Sequence, residues 1–195
     1  MARSRHQGTA LVKLLRTIRL DTSDTFVFEK AAEPGEWAVS GAFVFWTVDP
    51  SALQGKARSA FRGGFLGVET LGWSTLVQIV EASEEDRARV VDMLAEKLVA
   101  HFGAPDMDAA RVAAAEEVAF AESLCNQPTD ILVGVHRSFE DGAVRETFRS
   151  LRPREGAKPN RVFAFLEVED AADEQPADQV DLIAMVDNLA DRERK

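Results

Sequence analysis

The sequence predicts an α+β fold: a largely antiparallel sheet of about six to seven strands, with two long helices packed on one face. Three observations lead to this prediction. Short segments typical of strands lie toward both ends of the chain, two segments with helical periodicity lie between them, and Asp141-Gly142 is a dipeptide typical of a tight β-hairpin turn. Strands that are grouped before and after the helices, instead of alternating with them, favour antiparallel pairing in one domain.

Three strands are predicted at the start of the fold. Leu11 to Leu20 alternates apolar and polar side chains, as a half-buried strand does. Thr25 to Glu29 and Trp37 to Val48 are predicted as the next two, and Pro34-Gly35 between them suits a type II turn, so these two strands are expected to pair. Ala42 to Trp46 is apolar on both faces, which is typical of a central strand.

A short helix and a further strand are predicted next. Residues 52 to 62 follow the helix start signal Asp49-Pro50-Ser51 and end at Gly63-Gly64, and Trp73 to Val80 is the strand. Cations before the glycines resemble a phosphate cradle in composition. Phosphate loops, however, run from a strand into a helix, whereas these glycines leave a helix. A helix end is therefore the favoured interpretation, and a loop that contacts a ligand is the alternative.

The two long helices are predicted from their start signals and their periodicity. Ser83 followed by three acidic residues has the pattern of a capping box, and apolar residues then recur every three or four positions as far as Phe102. Asp106 or Asp108 is expected to begin an alanine-rich helix that runs to about Leu124. Its small side chains would let it lie close against a neighbouring helix.

A hairpin and one last strand are predicted after the helices. Ile131 to Phe139 and Ala143 to Leu151 flank the Asp141-Gly142 turn, and Arg161 to Val168 is the last strand. A two-residue turn sets the register, which pairs Glu140 with Ala143, Phe139 with Val144, Arg137 with Glu146, and Val135 with Phe148. One face of the hairpin therefore carries a cross-strand ion pair between two apolar pairs.

The opposite face of this hairpin is the main candidate for a binding surface. It carries His136, Arg145 and Arg149, and Arg152 and Arg154 follow on the second strand. We call these five residues the cationic hairpin face. Arginine side chains bind phosphates, carboxylates and acidic protein segments. The competing interpretation is an exposed sheet face on which cations only prevent aggregation.

Charge and composition exclude several classes of protein. The net charge of −10 disfavours nucleic acid as a partner, and the sequence has no apolar run long enough for a membrane span. The charge is unevenly distributed, because residues 137 to 161 carry a net +3 whereas residues 162 to 195 carry −7. A single cysteine, Cys125, excludes an internal disulfide and indicates a reducing compartment, so the protein is expected in the cytoplasm.

No catalytic residue, metal site or cofactor is predicted. Cys125 falls at a predicted helix end, where the helix dipole opposes thiolate formation, so it is interpreted as a small buried hydrophobe. Glu116-Glu117 is interpreted as a solvated helix face instead of a catalytic pair, because acid catalysis at neutral pH requires a buried carboxyl group. The three histidines have no spacing typical of metal ligands.

Three regions are expected along the chain. Residues 1–11 are predicted to be a disordered extension, residues 12–168 the single α+β domain, and residues 169–195 an acidic linker with a short amphipathic helix at 180–189. The acidic end could cover the basic hairpin. Alternatively, its apolar side could dock on a second copy of the chain or on another protein.

These observations lead to two hypotheses about function. The first is a non-catalytic accessory or binding protein that uses the cationic hairpin face to bind an acidic protein segment or a small anion. The alternative is a small-molecule enzyme or ligand-binding domain, with a pocket between helices and sheet where Trp46, Trp73, Arg62 and His136 converge.

The chain also resembles a family of uncharacterised proteobacterial proteins. The resemblance lies in Val12 to Asp21, Ser23 to Phe28, Gly35 to Val39 and Gly72 to Thr75, and extends over about residues 12 to 168. The family is a domain of unknown function, so the resemblance implies no catalytic motif. It implies only that residues 1–11 lie outside the fold.

Overall fold

The computed structural model describes residues 11–153 and 165–168 and confirms the predicted fold class. Eight strands form one sheet in the order β4-β3-β2-β1-β5-β6-β7-β8, and all neighbouring strands pair in the antiparallel sense. The strands are β1 (Leu11–Ile18), β2 (Trp37–Val39), β3 (Phe65–Gly67), β4 (Trp73–Ser74), β5 (Leu76–Ser83), β6 (Leu132–Glu140), β7 (Ala143–Pro153) and β8 (Phe165–Val168).

Four α-helices accompany the sheet in the described part of the chain: α1 (Ser23–Val27), α2 (Gly55–Gly63), α3 (Glu84–His101) and α4 (Met107–Ser123). The long helices α3 and α4 pack against each other, α3 also contacts β1 and β5, and α4 contacts β1 and β2. The core lies between these elements. Leu15 of β1, for example, pairs with Ala38 on one side and Ile79 on the other, and all three side chains are buried.

The predicted starts of the long helices are confirmed. The Ser83 hydroxyl accepts a hydrogen bond from the backbone N–H of Asp86, and the Asp86 carboxylate accepts one from the backbone N–H of Ser83, which completes the capping box. Asp106 caps α4 by accepting from the backbone N–H of Ala109. Each cap satisfies N–H groups that a helix leaves without partners at its first turn.

Two predicted strands need correction. Thr25 to Glu29 is not a strand, and of Trp37 to Val48 only Trp37–Val39 is one, so the predicted pairing of the two is wrong. The first region forms the short helix α1, and residues Ala42–Phe45 form a 3-10 helix. The strand β2 ends early because Gly41 has a φ of +77°, and a Cβ there would lie 2.6 Å from the Cβ of Leu66. The apolar residues of this region are not covered on both faces, since Phe45 packs against Phe61 and Trp73 whereas Trp46 is exposed.

The hairpin of β6 and β7 is confirmed, with the predicted register throughout. Asp141 and Gly142 have φ values of +52° and +78°, as the two central residues of a type I′ turn require. Arg137 and Glu146 therefore share one face with Val135 and Phe148, and His136 lies on the other face with Arg145 and Arg149.

The predicted extension and the acidic end mostly lie outside the described residues. Leu11, the last residue assigned to the extension, is the first residue of β1. The predicted amphipathic helix at 180–189 is not among the described residues. Within the described ranges, no helix combines the length and the apolar character needed to cross a bilayer.

Candidate functional site

The helix α2 presents two arginines on one side. Ala60 and Phe61 are buried, whereas Arg58 and Arg62 are exposed. The two arginines are four residues apart, so they are neighbours on the helix surface. Because α2 packs against β6, this basic side of the helix lies beside the strand that carries His136.

A cavity of about 320 Å³ lies between α2 and β6, and we call it the basic pocket. Three arginines, a histidine and two serines supply its polar groups, and Pro50 and two phenylalanines supply apolar walls. The lining residues are Pro50, Ser51, Arg58, Phe61, Arg62, His136, Arg137, Ser138 and Phe139. Apolar walls with a few convergent polar groups are typical of small-molecule sites.

The charges in the basic pocket favour an anion. No ion pair in the described part of the chain includes Arg58 or Arg62. Partial burial lowers the pKa of His136, and the positive charges of Arg62 and Arg149 lower it further. The lowered pKa favours the neutral imidazole at pH 7, and a bound anion would favour the protonated form.

The buried Arg137 holds together the two elements, α2 and β6, that form the basic pocket. Its side chain is fully buried and is the largest such side chain in the described chain. One guanidinium nitrogen donates to the carbonyl oxygens of Phe61 and Gly64, at 3.1 and 2.7 Å, and so ties the end of α2 to β6. Since Arg62 lies between these two acceptors in the sequence, the same bonds fix the backbone that carries it.

Two further partners complete the Arg137 network. Arg137 Nε donates to Oε1 of Glu146 at 2.7 Å, which confirms the predicted cross-strand ion pair. The remaining guanidinium nitrogen donates to the carbonyl and hydroxyl oxygens of Ser40, and the Ser40 hydroxyl donates to the same Glu146 oxygen. The network therefore joins α2, β6 and β7 to the end of β2.

The cationic hairpin face is only partly gathered around the basic pocket. His136 lines the pocket, and Arg149 is close enough to lower its pKa. Arg145 lies at the hairpin tip, 3.4 Å from Glu140 and 3.8 Å from Asp141, so local acids balance its charge. Arg152 is exposed on β7, and Arg154 lies outside the described residues.

The four residues of the alternative pocket do not converge. Arg62 and His136 both line the basic pocket. Trp73 is buried in the core, where its ring stacks on that of Phe45 at a centroid distance of 5.4 Å. Trp46 is 77% exposed and lines a different cavity beside α3 and α4.

Sequence reasoning missed part of the basic pocket. Arg58 was visible only as a cation near the glycines, although its spacing from Arg62 is the signal that places both on one helix side. Ser138 and Phe139 were assigned to the hairpin, but the position of α2 over β6 could not be inferred from local patterns. The interpretation of Glu117 as solvated is wrong, because it is half-buried.

Other reactive groups in the described chain do not form a recognisable catalytic set. Burial raises the pKa of the Cys125 thiol to about 12, so it is not a thiolate at neutral pH. No group of three potential metal ligands occurs among residues 11–153 and 165–168.

Comparisons with known proteins yield one match. A family model described as "Family of unknown function (DUF6505)" matches residues 12–167, which include every residue of the basic pocket. No curated protein and no solved structure matches the chain.

Proposed function

The chain belongs to this family of unknown function, and we propose that it is a non-catalytic binding protein whose basic pocket takes a small organic anion. The observation that carries the proposal is the convergence of Arg58, Arg62 and His136 on one concave site. A carboxylate or phosphate would accept hydrogen bonds from the arginines, and the aromatic walls would contact an apolar body.

The shape of the site favours a small anion over an acidic protein segment. Arg145 is an exposed part of the cationic hairpin face, and its charge is already balanced by Glu140 and Asp141. The unbalanced arginines instead line a cavity with a volume of about 320 Å³. That volume suits a ligand with one ring and one anionic group.

Titration with three probes tests this proposal. We expect phenyl phosphate and benzoate to bind, measured by calorimetry, and Arg62→Ser to weaken binding by about tenfold or more, because it removes a charged hydrogen-bond donor. Arg145→Ser is the matched control and should leave the affinity unchanged. A poly-glutamate peptide is the third probe.

The outcomes separate the hypotheses. Equal losses in Arg62→Ser and Arg145→Ser, or tighter binding of the peptide than of the small anions, would contradict a pocket for small anions. Absence of binding by all three probes at millimolar concentration would contradict the whole basic surface as a binding site.

The pH dependence of anion binding should reflect protonation of His136. An anion beside the imidazole stabilises its charged form, so protonation and anion binding reinforce each other. Because the pKa of His136 is lowered in the free protein, we expect the affinity for benzoate to rise as the pH falls from 7 toward 5. In His136→Gln this rise should disappear, and its persistence would show that another group is responsible.

The alternative of an enzyme depends on the same cavity. His136 lines the pocket and its lowered pKa favours the neutral imidazole, which could act as a general base toward a bound ligand. Chemical change of a bound anion over time, abolished by His136→Gln, would favour this alternative over simple binding.

Location and source complete the proposal. We propose that the protein works in the bacterial cytoplasm, and that the source is a proteobacterium. The single cysteine supports the reducing compartment, and the similarity of Val12 to Asp21 and Gly72 to Thr75 supports the source. Fractionation of the source cell would test the location.

A further inference from the structure

A second cavity, separate from the basic pocket, lies where the 3-10 helix at Ala42–Phe45 meets α3 and α4. Its volume is about 470 Å³, and we call it the apolar pocket. Aromatic and aliphatic side chains form most of its lining. The residues are Phe43, Val44, Trp46, Thr47, Leu98, His101, Phe102, Gly103, Ala104, Pro105, Ala109, Ala113, Glu116 and Glu117.

The aromatic walls are unusually accessible. Trp46 is 77% exposed and Phe102 is 36% exposed, although large aromatic side chains are normally well covered. Phe43 packs edge-on against Phe102 with a centroid distance of 5.2 Å, so the wall is an ordered pair and not two separate rings. Exposed apolar surface of this kind marks a binding groove more often than ordinary surface.

A carboxyl group without a partner lies in the same cavity. Oε2 of Glu117 is buried and accepts no hydrogen bond within the described chain. The pKa of Glu117 is raised to about 7, mainly by burial and also by the charges of Glu146 and Glu116, against the opposing charge of Arg137. A buried polar atom without a partner costs free energy, and a cation bound in the cavity would favour the ionised form of this carboxyl group.

The charge of the lining identifies the ligand class. Glu116 and Glu117 are the two acidic residues that line the cavity, and His101 is its one basic side chain. A cation is attracted both to carboxylates and to the faces of aromatic rings, whereas an anion would meet Glu116 and Glu117. The apolar walls add a requirement for a hydrocarbon body.

We propose that the apolar pocket binds a small organic cation, an amine with an apolar body, which contacts Trp46, Phe43 and Phe102 and donates a hydrogen bond to Glu117. This site is independent of the proposed anion site, because the two cavities share no lining residue. A ligand with about ten to fifteen heavy atoms matches its volume.

Three probes of one shape test the proposal: 3-phenylpropylamine, 3-phenylpropanol and 3-phenylpropionate. Trp46 provides the signal, since Trp37 and Trp73 are buried and Trp46 is exposed at the cavity. We expect the amine to shift the tryptophan emission and to bind at least about tenfold more tightly than the alcohol, because only the amine is a cation. The carboxylate should cause no such shift of the Trp46 emission, although it can bind in the basic pocket.

Two variants with the same charge change locate the site. Glu117→Gln keeps the shape of the side chain and should weaken amine binding by about tenfold, whereas Glu96→Gln, on the exposed side of α3, should not. Trp46→Leu should also weaken binding of the amine. Calorimetry measures this variant, because the substitution removes the Trp46 emission. Circular dichroism at matched temperature checks that each variant is folded.

The outcomes that overturn the proposal are distinct from failure of the basic pocket. Equal affinity for amine and alcohol, equal effects of Glu117→Gln and Glu96→Gln, or no binding of the amine at millimolar concentration would each refute it. Arg62→Ser should leave amine binding unchanged, so the two proposals succeed or fail separately.

Discussion

At the scale of single residues, one partner of Arg137 could be predicted from the local sequence and the others could not. The hairpin register predicted its pairing with Glu146, and the structure contains that ion pair at 2.7 Å. The sequence did not indicate that the side chain is fully buried or that it donates to Ser40, Phe61 and Gly64. Those acceptors are at least 73 residues away in the chain, so no local pattern connects them to Arg137.

Replacement of Arg137 should strongly destabilise the fold. Arg137→Ala would leave the Glu146 carboxylate without its charge partner and several buried carbonyl oxygens without donors, so we expect a loss of about 3–5 kcal/mol in the free energy of unfolding. Arg145→Ala, on the neighbouring strand, removes only exposed ion pairs and should cost less than about 1 kcal/mol. Urea unfolding of both variants measures the difference, and equal losses would contradict the structural role of Arg137.

Glu117 predicts a pH dependence of stability. Its folded pKa is about 7, above the ordinary value of 4.5, so the neutral form is favoured in the folded state. The stability linked to this group is therefore complete below about pH 4.5 and is lost as the pH rises through 7. Glu117→Gln should be more stable than the wild type at pH 8, by the order of 1–3 kcal/mol, and nearly equal at pH 4.

A neighbouring variant controls that measurement. Glu116→Gln makes the same change of charge at an exposed position, so its unfolding free energy should stay within about 0.5 kcal/mol of the wild type at both pH values. If Glu117→Gln shows no gain at pH 8 over pH 4, the carboxyl group is not held in the neutral form.

At the scale of secondary structure, predictions succeeded where the signal is contained within a few residues. The capping box of Ser83 and Asp86 and the Asp141-Gly142 turn were recognised because the hydrogen bonds or dihedral angles involve adjacent positions. The prediction of a strand at Ala42 to Trp46 was wrong because the structure of this segment depends on distant residues. Its apolar residues pack against distant side chains such as Phe61 and Phe102, and a run of apolar residues alone does not distinguish a strand from an irregular segment.

The hairpin turn provides a test at this scale. Gly142 has a φ of +78° and nothing lies within 4 Å of the position of a Cβ, so Gly142→Ala should cost only the strain of a left-handed backbone, about 1 kcal/mol. Gly63 has no left-handed φ and only ordinary contacts, so Gly63→Ala should be neutral or slightly stabilising. Thermal unfolding compares the two, and equal effects would contradict the I′ turn.

At the scale of the whole molecule, the sheet order explains why the basic pocket could not be foreseen in full. The strand β1 pairs with β2 and β5, which are separated in sequence by α2, β3 and β4. This arrangement brings α2 beside β6, about 75 residues later in the chain, and the pocket forms between them. His136 and Arg62 were both named in advance, but their proximity depends on the packing of these two elements.

Ligand binding should stabilise the whole fold. A ligand that binds only the folded state raises the free energy of unfolding by mass action, by about 2.7 kcal/mol at one hundred times its dissociation constant. We expect saturating phenyl phosphate to raise the midpoint of thermal unfolding by several degrees in the wild type and in Arg145→Ser, but much less in Arg62→Ser. A uniform shift in all three proteins would indicate a nonspecific ionic effect.

The sequence by itself determined the α+β class, the two capped long helices, the hairpin with its register, and the pairing of Arg137 with Glu146. These features depend on hydrogen bonds and periodicities that span a few residues. Only the tertiary structure decided where α2 lies, that Arg58 and His136 share a cavity, and that Glu117 is half-buried. Those properties depend on contacts between distant segments, and packing energy, unlike turn or cap chemistry, leaves no short pattern in the chain.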